Sequence, residues 1–181
     1  MSLPDLLREK RSSILRRWKE MTLEVYSDEA ARFVRSEKDR FQNPVGHAID
    51  EGLDVIFDGL LEGLPAAEIE KALDGIVRIR AVQDLSPSQG VGFVFLLKRV
   101  IREVAGDALA GREALTELSV LDTRIDHVAL AAFDIYMRCR EKICDIRVSE
   151  IKHLTSKLIE RAQRSTGSLE DGMEEDGGGE P

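Results

Sequence analysis

The sequence predicts an all-α fold, a single bundle of about six helices whose last member is long. Three observations predict it. Throughout residues 1–164 the apolar positions recur at three- and four-residue steps, the spacing that lines them up on one face of an α-helix. Nowhere do apolar and polar residues alternate for long enough to make a half-buried strand. Helix starts are also written in side-chain chemistry, with Ser, Asn and Pro standing where the orphan backbone N–H groups of a first turn must be satisfied.

In chain order, Ser2 before Pro4 and Asp5 opens a helix expected at 3–25, with Ile14, Trp18, Met21 and Val25 on its apolar side. A second is expected at 28–40. Asn43 followed by Pro44 opens the third, 44–62, and Pro65, two residues after Gly63, opens the fourth, 65–83. Ser86-Pro87-Ser88-Gln89 is a capping box with proline at the first helical position, where its missing N–H is harmless. It opens the fifth, 87–106. The run Gly90 to Leu97, GVGFVFLL, has the composition of a buried strand, but the cap before it and the stripe Val100, Ile101 and Val104 after it make it a helix, apolar on nearly all sides and so central.

The sixth helix, 112–163, carries Leu118, Leu121, Ile125, Val128, Ala132, Ile135 and Cys139 in strict 3-4 alternation, a coiled-coil seam with a stutter beyond it. Fifty-two residues would run about 78 Å, so the far end is expected to leave the bundle and be covered by a second copy of the chain. Leu118, Leu121, Ile125, Val128 and Ile135 are the expected dimer seam. The alternative is a break near Ser149, with the two pieces packed back on one bundle. Residues 165–181 hold six acidic residues and no Lys or Arg, and read as a disordered tail after a folded domain of residues 1–164.

Composition excludes several classes. The chain has 181 residues and a formal charge of −8, most of it in the tail. That size suits one domain rather than two full enzyme domains. Its two cysteines, Cys139 and Cys144, are spaced for neither a zinc pair nor a redox C-x-x-C, which favours a reducing cytoplasm. The charged N-terminus does not resemble a signal peptide, and no apolar run is long enough to span a membrane. The basic first helix, with a net +5 over residues 8–19, invites a membrane or nucleic-acid reading. Glu20 and Glu24 soon reverse its sign, so no nucleic-acid partner is expected.

Catalytic motifs are absent. Gly90-Val91-Gly92 lacks the third glycine and preceding strand of a nucleotide loop, there is no G-x-S-x-G, and neither cysteine stands in an activating sequence. Asp50, Asp54 and Asp58 stand at successive i+4 steps and need compensation. A divalent cation on Asp50 and Asp54 is one solution, and a face that is solvated or paired to Arg78, Arg80 or Arg99 is the favoured one. His127 on the long helix is a candidate haem ligand against a surface or interface histidine, the reading preferred. No cofactor is expected. Arg80 continues the inward stripe Ile69, Leu73 and Ile76, which implies a buried polar network that binds an anion or pairs with Asp54 or Asp84.

Trp18-Lys19, the stretch Arg35 to Gly46, the block Arg78-Ile79-Arg80-Ala81-Val82-Gln83-Asp84-Leu85-Ser86-Pro87-Ser88-Gln89 and Leu97-Lys98-Arg99 together resemble the RsbRD N-terminal domain family over residues 3 to 150. The resemblance implies a stress-sensing input module, helical, dimeric and globin-like without haem, of the kind that precedes the STAS domain of RsbT co-antagonists. Arg78, Arg80, Gln83, Asp84, Ser86, Ser88 and Gln89 would be its regulatory motif, and Asn43, Pro44 and Gly46 a structural one. Here only an acidic tail follows, so a free-standing, non-enzymatic cytoplasmic regulator is expected. Its partner would be an unidentified protein of a signalling or respiratory system. The rival expectation is a haem- or metal-binding accessory to electron transfer.

Overall fold

Side-chain chemistry starts the helices where the sequence suggests, and two of the expected helices are each interrupted at one residue. The computed structural model describes residues 2–36, 42–83 and 85–174, with side chains for 2–34, 42–83 and 85–161. Among these residues all regular structure is helical: α1 Leu3–Glu9, α2 Arg11–Leu23, α3 Asp28–Ser36, α4 Pro44–Glu62, α5 Ala66–Val82, α6 Pro87–Val91, α7 Phe93–Ala105, a 3₁₀ turn Gly106–Ala110, and α8 Arg112–Glu174.

The helix expected at 3–25 is two helices. Position 10 falls on the inward stripe of Leu3, Leu7 and Ile14, and a lysine there cannot be buried unpaired. The backbone leaves helical geometry at Lys10 (φ −92°, ψ 6°), which turns the side chain into solvent while Leu7 and Ile14 stay buried. The helix expected at 87–106 is divided at Gly92 into α6 and α7, with Gly92 itself in the right-handed helical region (φ −58°, ψ −23°). Nor is α7 buried all round, since Phe95 is 47% exposed. GVGFVFLL is helical, as expected.

α4 begins and ends where the sequence places it. The Asn43 carboxamide oxygen accepts from Gly46 N–H at 2.8 Å while its Nδ2 donates to the Val34 carbonyl at 2.9 Å, so one buried side chain caps α4 and ties down α3. A Cβ on Gly46 would run into that same side chain. Gly63 closes the helix in the left-handed region (φ 73°).

The described chain divides into residues 1–140 and residues from Glu141 onward. In the first unit α4 packs along α5 and α2 along α7. Trp18 is fully buried, stacked on Phe93 and donating from Nε1 to the Phe93 carbonyl at 2.6 Å. Leu118, Leu121, Ile125, Val128 and Ile135 all belong to this core. Their 3-4 stripe is packed within this one chain, so the side chains that the sequence suggested as a seam between copies are already covered before any second copy docks.

In the second unit the helix runs on without a break at Ser149. Its apolar side chains Ile146, Val148, Ile151, Leu154, Leu158 and Ile159 are all exposed. α8 ends at Glu174, inside the segment read as the acidic tail, and residues 175–181 lie outside those described. No helix is long and apolar enough to cross a membrane among the described residues.

Candidate functional site: a buried arginine and the connector it anchors

α5 carries its apolar stripe through Leu73, Ile76 and Val77 into the core, and the next inward position is Arg80, 1% exposed. Its guanidinium lies over the rings of Phe93 (4.9 Å) and Tyr26 (5.7 Å), faces that attract a cation and are well matched to a planar one. Nη2 donates to the Thr22 carbonyl at 2.8 Å and Nη1 to the Gln89 carbonyl at 3.0 Å. The Thr22 carbonyl is an end-of-helix acceptor of α2, so the cation sits where a helix presents partial negative charge. No carboxylate of the described residues reaches it. Burial pushes the guanidinium below its ordinary value, with the nearby Tyr26 hydroxyl opposing; an arginine in this position still keeps its proton.

The connector after α5 is held on both sides. Ser86 Oγ accepts from Gln89 N–H at 3.3 Å and Gln89 Oε1 accepts from Ser86 N–H at 3.0 Å, completing the capping box. The Ser88 hydroxyl lies 3.1 Å from that of Ser86. On the opposite side α8 reaches in. The Tyr136 hydroxyl donates to the Leu85 carbonyl, its ring rests against Gly90, and Arg140 Nη1 donates to the Ala81 carbonyl at 3.2 Å. The described residues of 81–90 are therefore clasped between a buried cation and the long helix.

Of the expected regulatory motif, the structure brings Arg80, Ser86, Ser88 and Gln89 together in this clasp. Arg78 is not part of it. It is exposed and pairs along its own helix with Asp74 at 2.9 Å, which raises its pKa. Gln83 is exposed, and Asp84 lies outside the described residues. Thr22, Tyr26, Phe93, Tyr136 and Arg140 were missed by the sequence reading. Tyr136 follows Ile135, already on the inward stripe, and its hydroxyl was the available signal, because a buried tyrosine usually finds a partner.

The aspartate ladder is compensated, but not by the arginines expected. Arg11 of α2 spans Asp54 and Asp58, at 2.8 Å to each, and Lys19 meets Asp50 at 2.7 Å. The basic first segment is thus docked on α4 of its own chain. Bonding to Asp58, foremost, raises the Arg11 pKa. Asp50 and Asp54, the candidate metal ligands, already hold cationic side chains. Among the described residues no three His, Cys, Asp or Glu stand together as a metal site.

A family model described as the RsbT co-antagonist protein rsbRD N-terminal domain matches residues 12–150. The chain belongs to this family. Neither the comparison with curated proteins nor that with solved structures gave a match. The region matched to the RsbRD N-terminal domain takes in α2 from its second residue, the Arg80 connector, and both clasping residues of α8. It also contains His127, which is exposed at the rim of a cavity of about 260 Å³ floored by Leu60, Ile69 and Leu73. That volume is below the range of about 300–1,000 Å³ usual for sites that enclose a small organic ligand.

Proposed function

We propose that this chain is a non-enzymatic regulatory domain of stress signalling. It binds other proteins and passes a packing change from the Arg80 connector into α8. The observation that carries this reading is the clasp on residues 81–90, because it joins the most distinctive stretch of the sequence to the long helix through named bonds. Such a device transmits a signal only when ligand or partner binds two arrangements with different affinity, typically by about 1–3 kcal/mol. Helix shifts of an ångström or two at packed interfaces are the usual form of the change. The family description names an RsbT co-antagonist, which supports a protein partner in a signalling system.

The domain works as a dimer in this reading. Ile151, Leu154 and Leu158 recur at 3-4 spacing and are each more than 60% exposed. A contiguous apolar surface of that kind calls for a cover. A second copy presents the same stripe at the same height, which makes the contact self-complementary.

The test is capture of partners from the native host by the immobilised wild-type chain and by Tyr136→Phe, followed by affinity measurement on the partner found. The reading expects a defined protein partner whose affinity changes at least several-fold in the variant. Equal affinity for both chains would remove the clasp from the mechanism, and reproducible turnover by the purified chain would end the regulatory reading.

A further inference from the structure

The cavity beside His127 lies wholly within the first unit, between the α4–α5 turn and α8. Its floor is apolar, made by the buried Leu60 and Leu73 and the half-buried Ile69. Its lining carries charge of both signs. Glu70 belongs to α5, while Arg124, with His127 one turn further along, belongs to α8. Arg124 Nη1 donates to the Leu60 carbonyl at 3.0 Å, which holds the guanidinium at the cavity and uses one of its five N–H donors. Neither Arg124 nor Glu70 is in an ion pair among the described residues, whereas the α8 carboxylates Asp122 and Asp126 are paired to Arg102 and Lys98. An anion alone would meet Glu70 there and a cation alone would meet Arg124, and like charges brought together in an interface are costly. A molecule with both charges and an apolar body satisfies all three parts of the lining. The volume of about 260 Å³ falls short of what a drug-sized ligand fills, which limits the guest to a small metabolite.

We propose that this cavity binds a free aliphatic α-amino acid of leucine size. Arg124 meets the carboxylate, with His127 as a second donor, and Glu70 accepts from the ammonium. The branched side chain covers Leu60, Ile69 and Leu73. The guest touches α5 and α8 together, the two helices that Arg140 joins further along through the Ala81 carbonyl. As an input to the connector it would rest on the regulatory reading above; as a binding site it does not.

The experiment follows thermal unfolding of the full chain in rising L-leucine. Glycine serves as the same zwitterion without the side chain, and 4-methylpentanoate and 3-methylbutylamine, at matched ionic strength, as the acid and the amine alone. A ligand bound only by the folded state raises the midpoint in proportion to the logarithm of its concentration once above its dissociation constant. The expected result is such a rise for leucine, with at least about tenfold more of each of the other three needed for the same rise. Glu70→Gln keeps side-chain shape and breaks no described side-chain bond, so it should fold, and it should lose leucine's advantage over 4-methylpentanoate. Arg124→Gln, read against its own ligand-free midpoint because the Leu60 carbonyl loses its donor, should lose the advantage over 3-methylbutylamine. A wild-type midpoint indifferent to leucine, or raised equally by glycine or by either single-charge analogue, overturns the proposal, and so does a preference that either variant retains. Binding is read without any partner, so its failure leaves the partner-affinity test of Tyr136→Phe standing, and the two readings fail separately.

Discussion

Tyr136→Phe removes a single oxygen and strands the Leu85 carbonyl, which has no other bond described. The expected loss is about 1 kcal/mol, read as a lower urea midpoint with unchanged slope. Gly90→Ala acts on the same contact from the other side. An added Cβ would lie 2.6 Å from Tyr136 Cε2, so overpacking should cost about 1–3 kcal/mol; a neutral result in the same denaturation series would show that the ring can move aside. At this scale the sequence was partly legible. Arg80 announced itself as a charge on an inward stripe, and Ser86 with Gln89 announced the cap. Its partners did not, because backbone carbonyls and aromatic faces carry no residue-type signature that links them to one arginine.

At the scale of elements, the helix starts were readable because a cap is a local arrangement of three or four residues, as at Asn43 and Ser86. The interruptions at Lys10 and Gly92 were less so: at Lys10 helix continuity conflicts with what the core accepts, and at Gly92 helix propensity conflicts with the space beside the glycine. Gly92→Ala separates the two influences. Helix propensity alone favours alanine by about 1 kcal/mol, yet the Ser88 carbonyl occupies the place of the new methyl, so the variant should be destabilised when measured by thermal or urea unfolding. The pairing of α2 with α4 was assigned to the wrong cations because one helix's pattern does not fix which neighbour faces it. Arg11→Ala should lower stability by less than about 1 kcal/mol, since its carboxylate partners are more than 40% exposed. That deficit should shrink in high salt, where the repulsion among Asp50, Asp54 and Asp58 is screened.

For the whole molecule, the long helix carries two apolar stripes, and the sequence could not say which one the chain keeps for itself. The stripe from Leu118 to Ile135 is internal, while Ile151, Leu154 and Leu158 remain exposed. Cys144 stands seven residues before Ile151 and is exposed. In a parallel pair the two Cys144 thiols would face each other, so mild oxidation should give a cross-linked dimer that Cys144→Ser abolishes, and Leu154→Asp should shift sedimentation to the monomer. The central claim, that the connector and α8 move as one, is tested most directly by native-state hydrogen exchange on wild type and Tyr136→Phe. The account predicts faster exchange both in residues 81–91 and in α8 around residues 129–140. Faster exchange confined to the connector, with α8 as protected as in wild type, would contradict it.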